Sequence, residues 1–286
     1  MKKVLITGSN GQLGNELRRL LQGDSSVRFL FTDLPELDIT LPAAVNQYIE
    51  ENRPDIIVNC AAYTQVDKAE SEPEIAFRVN TEGVKILAQE ALRTGAAFLH
   101  ISTDFVFDGS KSTPYSENDK PNPLSVYGKS KLEGEKYALE AGMVIRTSWL
   151  YSSFGQNFVK TILRLAKEKD EIRVVFDQTG TPTFAGDLAQ VILAFIYRHF
   201  ALNTLPKREI FHFSNEGVCS WYDFAHEIVQ LAQLPCRVSP IETHQYPLPA
   251  RRPPYSVLNK HKIRQYLGIS IPHWTESLRT YLKKLH

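Results

Sequence analysis

"KVLITGSNGQLGNELRRLLQG", residues 3–23, carries the reading of the fold. Its first six residues form a short apolar strand candidate, and residues 15–23 show helical periodicity bounded by Gly23. Between them, Gly8, Gly11 and Gly14 stand at GxxGxxG spacing. Glycine at such a strand-to-helix turn permits a tight backbone and lets it approach a pyrophosphate that a β-carbon would hold away. The helix N terminus behind the turn favours the phosphate charge. The spacing does not match GxxxxGK[ST], so a nucleoside-triphosphate loop is a poor fit.

Outward from this turn the chain keeps alternating. "VRFLFTD" (27–33) supplies a second strand, and "LPAAVNQYIEENRPD" (41–55) a helix before the strand "IIVNCAA" (56–62). Helical material at 74–94 leads to the strand "AAFLHIS" (96–102), then a helix around 126–141 and the strand "GMVIRTSWLY" (142–151). Repeated strand and crossover helix predict an α/β fold, a Rossmann-type mostly parallel sheet with helices on both faces. Residues 1–150 are expected to form mainly an NAD(P)-binding domain. Residues 151–286 should form mainly a smaller substrate-binding lobe, with segments returning to the first domain. In that second half, "GDLAQVILAFIYRHF" reads as a core helix, "EIFHFSN" as a returning strand, and "SWYDFAHEIVQLAQ" as a helix whose aromatic stripe belongs to the core.

The carboxyl edge of such a sheet is where a dinucleotide binds. Asp33 closes the second strand, where its carboxylate can accept hydrogen bonds from an adenosine ribose; the same residue also fits a plain turn. Asp38 can meet the adenine end, and the small Ala61 and Ala62 let backbone come close. Ser102, Thr103 and Asp104 end the strand "AAFLHISTD", where a hydroxyl would lie near the nicotinamide end, and "YGKSK" (127–131) places Tyr127 and Lys131 on one helix face at i, i+4. That spacing alone equally describes a surface aromatic and a solvated amine. Next to a nicotinamide the three have a use: hydride addition to a ketone builds charge on oxygen, which needs a positioned proton donor. A nearby ammonium is expected to favour the tyrosine phenolate. Trp149, just past a strand, offers an apolar sugar face, and Arg251 and Arg252 between prolines offer forked donors for phosphate.

Taken together, "TGSNGQLG", "LDIT", "CAAYTQVDKAE", "VN" (79–80), "STDFVFDG", "YGKSKLEGE", "RTSWLY", "NFV", "DQTGTPT" and "RRPPYSVL" closely resemble the extended short-chain dehydrogenase/reductase superfamily. Within it they resemble the dTDP-4-dehydrorhamnose reductase family, over nearly the whole chain. The resemblance implies reduction of dTDP-4-dehydro-L-rhamnose to dTDP-L-rhamnose with NADPH or NADH. It assigns catalysis to Thr103, Tyr127 and Lys131. It assigns cofactor contacts to Gly11, Gln12, Leu13, Asp33, Asp38, Ile39, Ala62, Tyr63, Thr64 and Lys131, with Asn80 of the "VN" pair and the catalytic Tyr127 in the same set. Substrate contacts fall to Thr103, Asp104, Tyr127, Trp149 and Arg252. Two departures stand out. Phe105 replaces the usual tyrosine after the Thr-Asp pair, and Glu16 and Asp187 match only two of the acidic positions at which some members hold magnesium in a dimer contact. No metal is therefore expected.

The bulk properties agree with a soluble enzyme. Lys plus Arg number 33 against 32 Asp plus Glu, a net charge of +1 that gives no overall field for nucleic acid or an anionic membrane. Three cysteines form no CxxC pair, and Cys60 lies in an apolar run as a buried thiol. With no signal segment at the start and no long apolar run, the expected setting is the cytoplasm; the resemblance implies a dTDP-sugar as substrate and a homodimer as the candidate assembly. A nucleotide-sugar dehydratase or epimerase would want Glu after Thr-Asp, where this chain has Phe105. A cofactor-binding regulatory subunit, like the beta subunit of methionine adenosyltransferase, would want an incomplete catalytic set.

Overall fold

Strands β1 (Lys2–Thr7), β2 (Val27–Thr32), β3 (Ile56–Asn59), β4 (Ala97–Thr103) and β5 (Gly142–Thr147) alternate with helices in the first half of the computed structural model. The helices are α1 (Gln12–Leu20), α2 (Pro42–Asn52), α3 (Val66–Ala69), α4 (Pro73–Phe77), α5 (Val84–Thr94) and α6 (Val126–Ala141). The structure describes residues 1–21, 27–203 and 205–284, so Gly23, expected to bound the first helix, lies outside the described residues. The helical material expected over 74–94 is α4 and α5 with a wide π-turn at Arg78–Gly83 between them.

The second half contributes β6 (Leu150–Tyr151), α7 (Phe158–Glu168), β7 (Glu171–Val175), β8 (Thr179–Gly180), β9 (Thr183–Phe184) and α8 (Ala185–Leu202). It continues with β10 (Glu209–His212), β11 (Cys219–Ser220), α9 (Trp221–Leu231), β12 (Arg237–Ile241), α10 (His261–Leu267) and α11 (Trp274–Lys283).

The main sheet is six-stranded in the order β10-β5-β4-β3-β1-β2. Every neighbour pairs in parallel, with Val4 opposite Ile56, Ile56 opposite Ala97, and Leu99 opposite Met143. β3 and β5 are buried along their whole length, as strands covered on both faces must be. On one face, Leu13 and Leu17 of α1 pack with Leu188, Ile192 and Phe195 of α8 and with Ile263 of α10 over Val4, Ile6 and Val58. On the other, Val45 and Ile49 of α2, Leu87 of α5 and Ala138 of α6 cover Leu5, Ile57 and Phe98.

A separate core joins Val159 and Ile162 of α7, Phe224 and Ile228 of α9, and Leu278 and Tyr281 of α11 around Tyr151 and Phe184. That second core is built from residues of the second half, while α8, β10 and α10 of the same half pack on or pair in the main sheet. Among the described residues, no helix is long and apolar enough to cross a membrane.

Candidate active site

With the six strands parallel, their carboxyl ends share one edge, and a cavity of about 1020 Å³ opens there. Its floor begins at the glycine turn. Gly8 has φ +66°, and a β-carbon on it would meet the Ala61 amide nitrogen at 2.5 Å. Gly14 lies so close to Ser9 that a β-carbon would sit 2.4 Å from the Ser9 α-carbon. No side chain caps the N terminus of α1 at Gly11, so the Gln12 and Leu13 end of the helix faces the cavity. This is a cradle for an anionic group, made by leaving side chains out.

Beside it, Asp33 accepts from the Asn10 and Leu34 amides, each at 2.8 Å, which fixes its carboxylate at the rim. Asp38 accepts from the Thr40 amide and hydroxyl at 2.9 and 2.8 Å. Ile39, Ala61, Ala62, Tyr63 and Thr64 continue the wall. Asn80 does not line it. It is fully buried in the π-turn, where its amide accepts from the Tyr63 nitrogen at 2.9 Å and donates to the Tyr63 carbonyl at 3.0 Å and to the Ser130 hydroxyl at 3.0 Å. Asn80, expected from the sequence among the cofactor contacts, stands behind the wall and clamps the Tyr63 loop to α6.

Farther along, Thr103 ends β4 and Tyr127 opens α6, whose N terminus is capped by the Ser125 hydroxyl accepting from the Gly128 amide at 3.1 Å. Thr103 donates to Asp104 at 3.1 Å and shares a side-chain hydrogen bond with Tyr127. Phe105 meets the Tyr127 ring edge-on, with centroids 5.6 Å apart. Lys131 donates to the Ile101 carbonyl at 2.7 Å and lies 3.3 Å from His100 Nε2.

The electrostatics differ from the expectation that an ammonium would lower the tyrosine. Burial pushes the Tyr127 phenol up to about 12, and the Asp104 charge adds to this against the Thr103 hydrogen bond. Burial also lowers Lys131 to about 8 and raises the Asp104 carboxyl to about 6. Desolvation wins because all three charged forms would sit in a dry wall.

The far end is aromatic. Trp149, with φ +47°, stacks on Trp221 with centroids 3.6 Å apart and planes 8° from parallel. Trp221 opens α9 and lines the cavity, which amends the reading of that helix's aromatic stripe as core; Phe224, one turn on, is the core member. Arg252 also lines the cavity, but its guanidinium forks onto Asp67 at 3.0 and 2.7 Å, a carboxylate where a ligand phosphate was expected. Arg251 is exposed and outside the wall.

Ser102, at the end of β4 beside Thr103, lines the cavity, and so do Arg78 and Asn157, neither of which was assigned a role from the sequence. The Ser102 hydroxyl is buried with no hydrogen-bond partner among the described residues, a polar atom available to whatever fills the space. Glu16 and Asp187 are engaged internally, Glu16 with Ser152 and Arg19, and Asp187 with Asn215 and Ser277. Among the described residues, no group of three or more His, Cys, Asp or Glu side chains could hold a metal ion. The three cysteines are free.

A parallel sheet with a glycine turn at one end of its cavity and a Thr, Tyr and Lys set midway defines the class of extended short-chain dehydrogenases and reductases. The family model described as "RmlD substrate binding domain" matches residues 1–286. A dTDP-4-dehydrorhamnose reductase of Aggregatibacter actinomycetemcomitans is 44% identical, with 98% of each chain covered. The crystal structure of such a reductase from Clostridium acetobutylicum superposes with a TM-score of 0.93 at 44% identity, covering 99% of both chains. That of the Bacillus anthracis reductase, solved in complex with NADP, superposes at 0.92 with 38% identity, covering 99% of this chain and all of the other. The chain belongs to the dTDP-4-dehydrorhamnose reductase family.

Proposed function

We propose that this chain catalyses the NAD(P)H-dependent reduction step of dTDP-rhamnose biosynthesis, converting the C4 ketone of dTDP-4-dehydro-L-rhamnose to the alcohol of dTDP-L-rhamnose. One observation carries the reading: a single cavity runs from the glycine cradle at Gly8, Gly11 and Gly14 past Thr103, Tyr127 and Lys131 to Trp149 and Arg252. The unfilled hydroxyl of Ser102 and the cradle that a β-carbon would fill fit a dinucleotide in this space.

Gln12 and Leu13 would receive the pyrophosphate, Asp33, Asp38 and Ile39 the adenosine end, and Ala62, Tyr63, Thr64 and Lys131 the nicotinamide half. When bound, the reduced nicotinamide supplies the hydride. Tyr127 gives its phenolic proton to the ketone oxygen as that oxygen becomes an alkoxide, so one O–H bond breaks as another forms. A phenol held near 12 is protonated at neutral pH and loses its proton only to a strong base such as that alkoxide. Thr103 donates to the same oxygen and Asp104 orients a neighbouring sugar hydroxyl. Trp149, held against Trp221, presents an apolar face to the sugar, and the lobe built on α7, α9 and α11 keeps water from the reacting carbon.

NADPH and NADH both fit this reading; the NADP bound to the Bacillus anthracis relative favours NADPH. The reading also carries a homodimer and a cytoplasmic setting, checked by light scattering and by cell fractionation. The deciding experiment supplies freshly coupled dTDP-4-dehydrorhamnose and follows NADPH and NADH oxidation with NMR identification of the product. Stoichiometric oxidation with dTDP-L-rhamnose formed is expected. Cofactor binding without oxidation would move the chain to a regulatory class, and sugar conversion without net oxidation to a dehydratase or epimerase.

A further inference from the structure

A guanidinium carries five N–H donors, and at Arg252 the chain itself engages three of them. One Nη1 hydrogen goes to Asp67 Oδ1 at 3.0 Å, the other to the Ala250 carbonyl at 3.0 Å, and one Nη2 hydrogen to Asp67 Oδ2 at 2.7 Å. Asp67 Oδ1 also accepts from the Ala250 amide at 3.2 Å, so one carboxylate both closes the 250–252 turn and grips the end of its arginine. The two donors left over are the Nε–H and the second Nη2 hydrogen. They lie parallel along one edge of the planar group, a fork that matches two oxygens of a phosphate. Among the described residues no acceptor takes that edge, and Arg252 lines the cavity.

The segment that carries Arg252 is fixed at the aromatic end of that cavity. The Pro254 carbonyl accepts from the Thr179 amide at 2.8 Å, and the Ser256 amide donates to the Thr179 carbonyl at 2.8 Å. Gly180, next to Thr179, lies against Trp149, where a β-carbon would come within 2.7 Å of the indole. The Ser256 side chain hydrogen-bonds Asp104. Asp67 approaches from the dinucleotide side: it stands on α3, just after the wall residues Tyr63 and Thr64.

We propose that Asp67 is a positioning residue for Arg252, holding the guanidinium by its end so that the free edge is set for the diphosphate of the nucleotide sugar. This role presupposes the nucleotide-sugar reading of the cavity. A loose arginine must be ordered when its ligand arrives, and the lost rotamer freedom weakens binding. Arg252 is ordered beforehand: its side chain is only 20% exposed, and the Asp67 carboxyl is held below its ordinary range by the Arg252 hydrogen bonds, against burial. The pair is neutral as a whole, so its attraction for an anion comes from the aimed donors and not from net charge. Two explanations of Asp67 therefore differ in sign. As a mere competing charge, its removal would tighten diphosphate binding; as the clamp on Arg252, its removal weakens it.

Titration calorimetry with dTDP, which carries the diphosphate and undergoes no reaction, separates the two. Asp67→Ala and Asp67→Asn are expected to weaken dTDP binding by about 3–10-fold, with thymidine and NADPH affinities near wild type. A partly exposed ion pair adds little to stability, so both variants should melt near the wild-type temperature. In protein already carrying Arg252→Ala, adding Asp67→Ala should weaken dTDP no further. In the reductase assay, Asp67→Ala should raise KM for the nucleotide sugar and leave kcat nearly unchanged. Unchanged or tighter dTDP binding in Asp67→Ala, or an equal loss when Arg252 is absent, would overturn the proposal. A loss shared by thymidine or NADPH would mark a general loosening of the cavity and overturn it as well. Wild-type protein without affinity for dTDP would instead overturn the nucleotide-sugar reading itself.

Discussion

At the scale of single residues, the site is governed by dryness. Tyr127, Lys131 and Asp104 all sit where charge is costly, and each is pushed toward its neutral form. Removing the Tyr127 hydroxyl should therefore remove the proton source while leaving the dinucleotide wall in place: Tyr127→Phe is expected to lower turnover by about 10²–10⁴-fold with cofactor affinity nearly unchanged, read by NADPH oxidation and by fluorescence titration. Asp104 makes a pH prediction. Its carboxyl is raised from 3.8 to about 6 by burial, so its favourable contribution is fully present below pH 3.8 and is lost as pH rises through 6. The shift of about two units corresponds to roughly 3 kcal/mol. Asp104→Asn should accordingly gain stability over wild type at pH 8 but not at pH 3.5, in urea unfolding at the two pH values. An equal effect at both would show that ionisation of Asp104 does not matter.

Elements act by holding those residues at the right spacing. The β1-to-α1 turn tolerates no side chain at Gly8, where a β-carbon would strike Ala61 and φ is positive. Gly8→Ala should destabilise by about 1–3 kcal/mol and abolish tight cofactor binding, checked by denaturation and NADPH titration. The joint between α6 and β5 rests on a buried fork, Arg146 to Glu135, with both side chains only 2% exposed. Removing one partner leaves the other charge stranded, so Glu135→Ala should cost about 3–5 kcal/mol, measured as a lower urea midpoint with an unchanged slope. Periodicity over 126–141 announced α6 correctly, whereas the π-turn that sets Asn80 behind the Tyr63 loop was not legible. A wide turn keeps the same residue types as a helix; what ties it in place here is the reciprocal pair of hydrogen bonds between the Asn80 amide and the Tyr63 backbone, a contact made only after folding.

Across the whole molecule, polar contacts join distant parts of the chain around the cavity, among them Arg252 to Asp67 and Asn157 to Gln12. Both side chains are partly exposed, and such pairs contribute about 0–1 kcal/mol. Arg252→Ala is thus expected to leave the melting transition nearly unmoved while raising KM for the nucleotide sugar, measured by calorimetry and steady-state kinetics. A large fall in stability with unchanged KM would make Arg252 a strut between lobes and remove it from the substrate wall.

The sequence by itself determined the parallel sheet, the glycine cradle and the alignment of Tyr127 with Lys131, because each follows from local repeat, backbone freedom or helical pitch. Tertiary structure alone decided which neighbours those side chains keep. Trp221 faces Trp149, Asp67 holds Arg252, and Asn59 reaches Lys131 through His100, each pairing residues far apart in the chain. Burial, a property of the packed whole, then sets the charge each carries.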